Sequence, residues 1–266
     1  MANRCAAAVP GEEAVLSVWG LTKSFGGLTA VKEICIEARE GEIMAIIGPN
    51  GAGKTTLYDL LTGIYRPDTG NIVFSGREIT GLPPHCITAM GIARTFQTVR
   101  LFPEMTVAEN VMVGMHHRTR AGFAACALRL PSARREEGWM REEAARFLGM
   151  VGLEMQGESL AGSLPFGQQR LLELARALAT RPRLLLLDEP ASGLNAYETR
   201  ELGDIIYRVR DMGITVILVE HDMGLVMRIS ERVVVLDYGE IIAEGTPEEI
   251  KSDPRVIEAY LGSEVD

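Results

Sequence analysis

The chain contains 266 residues, of which 47% are hydrophobic and 24% charged, and its formal net charge is −9. This length allows one large domain or two small ones with a sizeable core. The acidic balance argues against a general affinity for nucleic acid. No apolar run approaches the roughly eighteen residues of a membrane helix, and Met1–Pro10 lacks the apolar segment of a signal peptide.

Four cysteines are scattered along the chain without a C-x-x-C pair, at Cys5, Cys35, Cys86 and Cys126. This spacing favours free thiols in a reducing compartment over disulfides or a metal site.

The start of the chain predicts an antiparallel β-layer that follows a flexible N-terminus at residues 1–13. Ala14–Gly20 and Ala30–Ala38 alternate between apolar and polar residues, and they flank a turn signal at Phe25–Gly27. Further on, Pro67–Gly70 predicts a second turn and Asn71–Ser75 another strand.

A short apolar run, Ile43–Ile47, precedes a glycine-rich stretch, and Leu57–Leu61 predicts a helix after it. The stretch reads Gly48-Pro49-Asn50-Gly51-Ala52-Gly53-Lys54-Thr55-Thr56 and matches G-x-x-x-x-G-K-[ST]. Between a strand and a helix, this pattern forms a loop whose backbone amides and helix N-terminus bind phosphates. Lys54 can supply a charge to the β- and γ-phosphates, and the Thr55 hydroxyl can bind Mg²⁺.

Helical patterns dominate from Thr106 to about Gly162. Thr106–Glu109 is a capping box that predicts the start of a helix. His116 and His117 are placed on this first helix. Because adjacent residues do not share a helix face, we interpret both as solvated side chains rather than metal ligands.

Apolar strands that alternate with helices return after this insertion, at Leu184–Leu187, Ile214–Val219 and Arg232–Leu236. Such strands predict a mostly parallel sheet covered on both faces, with ligands at the carboxyl ends of its strands. Asp188 and Glu189 follow the first of these strands, and His221 follows the second.

These polar residues suit nucleotide hydrolysis. Asp188 can hold Mg²⁺, Glu189 is the best candidate for a general base, and His221 can contact the γ-phosphate or the attacking water. No N-K-x-D element for guanine is present, which disfavours a GTPase, and no second motif suggests the acceptor site of a small-molecule kinase.

The order and spacing of these motifs resemble those of ATP-binding subunits of ABC transporters, from about residue 14 to residue 262. The further segments that carry the resemblance are Gln97, Leu164–Arg170 and Ser192–Asn195. It implies an α/β fold of the P-loop NTPase type, with a mostly parallel core sheet, an antiparallel β subdomain and an inserted helical subdomain. The implied division is an ATPase core (RecA-like and antiparallel-β) at 14–97 and 163–247, a helical subdomain at 98–162 and a C-terminal helical tail at 248–266.

The resemblance also implies roles for single residues. Phe25 stands where an aromatic residue stacks on adenine, and the loop Gly48–Thr56 stands where the phosphates of ATP bind. The implied Mg²⁺ ligands are Thr55, Gln97 and Asp188. The implied catalytic residues are Glu189, His221 and Gln97.

The signature segment of the family, usually L-S-G-G-Q, reads Leu164-Pro165-Phe166-Gly167-Gln168 here. In the family this segment contacts the ATP bound to a second subunit of a head-to-tail dimer. Pro165 has neither a hydroxyl nor a backbone N–H. We therefore expect Phe166, Gly167 and Gln168 to make these contacts.

Three stretches resemble the group that imports branched-chain (hydrophobic) amino acids: Arg94–Val107, Gly167–Arg170 and Pro254–Gly262. This implies an ATP-hydrolysing subunit, peripheral on the cytoplasmic face of the inner membrane. Its implied partners are a second ATP-binding subunit, identical or different, integral membrane permease subunits and, indirectly, a periplasmic binding protein, with no nucleic acid.

Two alternatives remain at this point. The group also includes importers for amides or urea and a lipopolysaccharide exporter. Because the ATP-binding subunit does not touch the cargo, its residues do not distinguish among these cargoes. A soluble ABC protein acting on DNA or ribosomes is disfavoured by the single acidic cassette.

The apolar side chains of Leu101, Phe102 and Val107 form either a docking patch for the permease or ordinary packing between the helical subdomain and the core.

Overall fold

The computed structural model describes residues 14–119 and 131–262. The predicted flexible N-terminus, the last residues of the predicted tail, and Cys5 and Cys126 lie outside these ranges. Cys86 is a free thiol, but Cys35 is disulfide-bonded, so the expectation of free thiols is wrong for Cys35. Spacing along the chain could not show this, because a disulfide depends on which thiols the fold brings together.

The strands of the described residues form two sheets. Their bounds are β1 Ala14–Phe25, β2 Leu28–Arg39, β3 Ile43–Ile47, β4 Thr69–Phe74, β5 Arg77–Glu78, β6 Ile92–Arg94, β7 Leu184–Asp188, β8 Thr215–Val219, β9 Arg232–Asp237 and β10 Glu240–Gly245. The larger sheet has the order β10-β9-β3-β8-β7-β6, with only β10 antiparallel to its neighbour. The smaller, antiparallel sheet has the order β2-β1-β4-β5. Both sheets confirm the predicted α/β class.

The turn predicted at Pro67–Gly70 is wrong, because Thr69 and Gly70 already belong to β4. Gly70 has φ +91°, and a Cβ there would come within 2.5 Å of the Gly20 carbonyl oxygen. The glycine therefore serves the close approach of β4 to β1 rather than a turn.

The helices of the described residues cover both faces of the larger sheet. Their bounds are α1 Lys54–Leu61, α2 Pro84–Met90, α3 Val107–Gly114, α4 Pro131–Met150, α5 Phe166–Ala179, α6 Ala196–Asp211, α7 Met223–Ile229, α8 Pro247–Ser252 and α9 Pro254–Gly262. The capping box predicted at Thr106 is present, since Thr106 and Glu109 exchange side-chain to backbone hydrogen bonds. A second capping box, formed by Thr246 and Glu249, opens α8.

The prediction that His116 and His117 lie on α3 is wrong. Both residues belong to a 3₁₀ turn, His116–Arg118, directly after this helix. Helix α3 ends at Gly114, where a Cβ would come within 2.3 Å of the Arg176 carbonyl oxygen on α5. In the described part of the chain, no group of three or more His, Cys, Asp or Glu side chains could hold a metal ion.

Strand β3 shows how the sheet separates two cores. Ile43, Ala45 and Ile47 pack on one face with the helices α3–α7, whereas Met44 and Ile46 pack on the other face with α1 and the antiparallel sheet. All five residues have an exposed fraction of 0%. Because both faces are covered, the strand is apolar throughout instead of alternating.

Among the described helices, none is both long and apolar enough to cross a membrane.

Candidate functional site

The glycine-rich loop joins β3 to the start of α1, so its backbone lies at the carboxyl end of a central strand. Two glycines allow this position. A Cβ on Gly48 would lie 2.0 Å from the Leu236 carbonyl oxygen, and one on Gly53 would lie 2.2 Å from that of Ala30. The loop is therefore confined between β9 and β2, and only glycine fits at these two places.

Lys54 is the buried cation of this loop, with 6% of its surface exposed. Its ammonium donates hydrogen bonds to the carbonyl oxygens of Gly48 (2.7 Å) and Pro49 (2.9 Å). Burial lowers the pKa of Lys54, and the carboxylates of Glu189 and Asp188 oppose this effect. The cation is thus held over the loop, where it can turn to phosphate oxygens. Thr55, the next residue, is exposed.

Three predicted residues meet at Glu189, and we call Glu189, Gln97 and His221 the Glu189 cluster. The Gln97 amide donates to Glu189 Oε2 at 2.9 Å. His221 Nε2 lies 3.0 Å from Glu189 Oε1. The three residues converge because they follow β6, β7 and β8, which are adjacent parallel strands of the larger sheet. Strand β3 is next to β8, so the phosphate loop that follows β3 lies at the same edge.

Glu189 itself has a left-handed backbone conformation, with φ +47°. Such a conformation costs a non-glycine residue about 1–3 kcal/mol and persists only where the surroundings determine it. Here the Glu189 N–H donates to the Val219 carbonyl at 2.9 Å, so the end of β8 holds this backbone.

Arg94, at the end of β6, was not predicted to belong to the site. Its guanidinium donates to Asp188 Oδ2 at 2.8 Å and to Asp59 Oδ1 at 2.5 Å. Burial raises the pKa of Asp188, while Arg94 acts to lower it. Arg94 therefore compensates the buried charge of Asp188. The available signal was an arginine on a strand next to the strand that carries Asp188.

Glu220 is the second residue that sequence reasoning missed. Its side chain is buried and accepts backbone hydrogen bonds from Ala191 (2.6 Å), His221 (2.9 Å) and Asp222 (3.3 Å). Burial raises the pKa of this carboxyl group. One carboxylate thus joins the loop after Glu189 to the loop that carries His221.

Phe25 lies at the end of β1, and 40% of its surface is exposed. The ring of Tyr65 meets it edge-to-face, with centroids 5.1 Å apart at 70°. The Lys23 ammonium lies 5.5 Å from the centroid of the Phe25 ring. An exposed, supported aromatic ring fits the predicted stacking on a base, and Tyr65 adds a supporting residue that was not predicted.

The predicted signature segment forms the start of α5. Pro165 is the N-cap residue and provides no side-chain cap, and Phe166 has 48% of its surface exposed. The Phe166 ring packs on Gly193, where a Cβ would lie 2.7 Å from it. In residues 14–119 and 131–262 we find no hydrogen bond between Phe166–Gln168 and the loop Gly48–Thr56. The structure therefore does not join these two predicted parts within one chain.

Two residues of the predicted docking patch differ in their burial. Val107 is fully buried in the core, which favours ordinary packing for this residue, whereas Phe102 is 48% exposed. The centroid of the Phe102 ring lies 6.0 Å from the guanidinium carbon of Arg176.

The comparison with family models decides the family. The model described as "ABC transporter" matches residues 31–192, and that described as "Branched-chain amino acid ATP-binding cassette transporter" matches residues 240–266. The chain belongs to the ABC transporter ATP-binding family. The predicted resemblance is thereby confirmed, and the motifs above belong to an ATPase cassette.

Curated relatives in this family cover nearly the whole chain. The high-affinity branched-chain amino acid transport ATP-binding protein BraF of Pseudomonas aeruginosa is 49% identical over 93% of this chain and 98% of its own length. The corresponding LivG protein of Escherichia coli is 47% identical over the same shares.

Solved structures of ABC cassettes share the fold. A nucleotide-free ATP-binding cassette from an ABC transporter superposes with TM-score 0.81 at 33% identity, covering 93% of this chain and 98% of the other. A dimeric cassette in a post-hydrolysis state, bound to ADP and Pi, has TM-score 0.74 at 26% identity, covering 87% and 98%.

Proposed function

We propose that this chain is the ATP-hydrolysing subunit of an importer for branched-chain, hydrophobic amino acids. The observation that carries the hydrolytic part is Glu189, whose carboxylate is held by Gln97 and His221 at the strand ends beside the phosphate loop. The amino acid part is supported by relatives at 47–49% identity that are named for this transport, and by the match of residues 240–266.

The phosphates of ATP would bind to the amides of Gly48–Thr56 and to the Lys54 ammonium. Glu189 accepts a proton from the water that attacks the γ-phosphate, so that ADP and inorganic phosphate form. His221 and Gln97 fix the orientation of the carboxylate through its two oxygens. Phe25 would stack on the adenine ring.

The residues present fit Mg²⁺ brought by the nucleotide. Thr55, Asp188 and Gln97 offer a hydroxyl, a carboxylate and an amide oxygen, the hard oxygen ligands that Mg²⁺ prefers. Phosphate oxygens of the nucleotide would complete the ligand set. When bound, Mg²⁺ neutralises charge that develops on the phosphate oxygens.

The assembly we propose contains two ATP-binding subunits, identical or different, and integral membrane permease subunits. Phe166, Gly167 and Gln168 of each subunit would complete the ATP site of the other. The 48% exposure of Phe166 supports this proposal, as does the lack of any hydrogen bond, among the described residues, from these three to the chain's own phosphate loop. A periplasmic binding protein would deliver the amino acid. The chain would lie peripherally on the cytoplasmic face of the inner membrane.

Within the subunit we propose an ATPase core at 14–97 and 163–247, a helical subdomain at 98–162 and a C-terminal helical tail from 248. The exposed ring of Phe102 on the helical subdomain would face the permease.

The test is purification of the intact complex from membranes, with its subunits identified by mass, followed by ATPase assays in proteoliposomes. We expect permease subunits to co-purify and leucine-loaded binding protein to stimulate hydrolysis. Stimulation by an amide, by urea or by lipopolysaccharide instead would contradict the proposed cargo.

A further inference from the structure

Arg170 lies on the first turns of α5. Its side chain is only 5% exposed. The guanidinium donates to two consecutive backbone carbonyls, Phe96 at 2.9 Å and Gln97 at 2.6 Å. The planar fork of arginine is suited to such paired acceptors, and hydrogen bonds from a charged donor are stronger than neutral ones.

Glu173, one turn further along α5, accepts hydrogen bonds from backbone N–H groups of the same segment. Glu173 Oε1 accepts from Phe96 at 3.5 Å and from Arg100 at 3.4 Å. These contacts are longer than those of Arg170, so Arg170 is the stronger attachment. Together the two side chains hold the segment from Phe96 to Arg100 against α5.

The attached segment carries Gln97, whose side chain donates to Glu189. The backbone oxygen of Gln97 is thus fixed by α5, while its amide group reaches the proposed base. On its other side, the Arg170 guanidinium lies 5.4 Å from the centroid of the Phe166 ring. One side chain therefore touches both the segment proposed to meet a partner's ATP and the backbone of a residue that contacts this chain's own Glu189.

We propose that Arg170 is a positioning residue for hydrolysis, which holds Gln97 on Glu189 and transmits displacement of the Phe166 segment to that contact. This inference rests on the proposed role of Glu189. It implies that binding at the partner's site and hydrolysis at this chain's own site are linked through α5.

The first test is Arg170→Lys, which keeps the positive charge but lacks the fork that reaches both carbonyls. Because small displacements of positioning groups strongly affect rates, we expect kcat for ATP to fall about 10- to 100-fold. The KM for ATP should change less than about twofold, since the contact does not bind substrate. Arg208→Lys is the matched control, because Arg208 also donates to a carbonyl, that of Met150, on an exposed surface.

A merely structural role is separated by a second measurement and a double variant. In the nucleotide-free protein, amide exchange at Phe96–Arg100 should accelerate in Arg170→Lys and not in Arg208→Lys. Combining Arg170→Lys with Gln97→Ala should add little to the loss caused by Gln97→Ala alone, because both changes disrupt one connection. If Arg170→Lys does not fold, Arg170→Gln is examined by the same exchange and rate measurements.

Wild-type kcat in Arg170→Lys, unchanged exchange, or fully additive losses would each overturn the inference. The proposed function fails separately, if Glu189→Gln keeps wild-type turnover. A slow Glu189→Gln variant together with a normal Arg170→Lys variant would remove only the role of Arg170.

Discussion

The phosphate loop and the Glu189 cluster are neighbours at one edge of the sheet, but they are built differently. The loop is a continuous piece of backbone between β3 and α1, with glycines where its neighbours leave no room for a Cβ. The cluster consists of side chains from three loops, separated by 92 positions between Gln97 and Glu189 and by 32 between Glu189 and His221.

This difference in construction separates nucleotide binding, which we assign to the loop, from ATP hydrolysis, which we assign to the Glu189 cluster. The phosphate contacts of the loop would come from its own backbone amides and Lys54, so nucleotide binding should depend on few side chains elsewhere in the chain. The cluster depends on supporting groups, Arg94, Glu220 and Arg170, that hold its loops together. Changes in the two regions should therefore affect different kinetic constants.

Glu189→Gln should give the largest effect and the clearest separation. Removal of a general base costs typically about 10²- to 10⁴-fold in rate, so we expect a loss of this size in kcat. ATP affinity should persist, and ATP should cause the variant to accumulate as a dimer. Phosphate release and gel filtration measure both effects, with the exposed Glu231→Gln as control. Failure of ATP to dimerise the variant would contradict the proposed two-subunit site.

Lys54→Ala should act on binding. Loss of a charged hydrogen-bond donor costs about 1.5–3 kcal/mol, so we expect Kd for ATP to rise about 10- to 100-fold. Fluorescence titration with a labelled ATP analogue provides the measurement, and Lys251→Ala, on the exposed end of α8, is the control. Full hydrolysis at low ATP in Lys54→Ala would refute the assignment of the phosphate site.

Glu220→Gln tests whether the cluster needs its support. An amide offers one acceptor oxygen, and its NH₂ group would face a backbone N–H that the carboxylate now satisfies. A buried N–H group without a partner costs about 1–3 kcal/mol, so the loop that carries His221 should shift to relieve this cost. We therefore expect kcat to fall about tenfold. ATP affinity should remain unchanged, which titration would verify. An equal loss in affinity and in kcat would show that the two regions are not separable.

Tyr65→Ala should have the smallest effect. An edge-to-face aromatic pair contributes about 0.5–1.5 kcal/mol, so the KM for ATP should rise about two- to tenfold as Phe25 loses its support. Steady-state kinetics measures this, with the neighbouring exposed residue Ile64→Ala as control. A fall in kcat at unchanged KM would show that Tyr65 does not support binding of the adenine ring.

The same contrast explains what could be predicted from the sequence. The sequence patterns of the loop, the buried strands and the capping box at Thr106 involve residues that are close in the chain, and the structure confirms these elements. The position of Gly70 could not be inferred, because its reason is the distant Gly20 carbonyl.

Supporting residues escaped prediction for a similar reason. Arg94 and Glu220 look like ordinary charged residues at strand ends, and their roles depend on which strands are adjacent. The roles of the site residues themselves remain predictions that the variants above test.

The left-handed backbone at Glu189 has a consequence for engineering this protein. A glycine at this position would relieve about 1–3 kcal/mol of strain. It would cost about 0.5–1 kcal/mol in chain entropy, and the lost hydrogen bonds of the carboxylate with Gln97 and His221 are solvent-exposed and contribute little, so the Glu189→Gly protein should withstand heat better than the parent. A search for thermostable variants would thus favour a change that removes the proposed base. Selection by melting temperature alone would therefore lead away from activity at this residue.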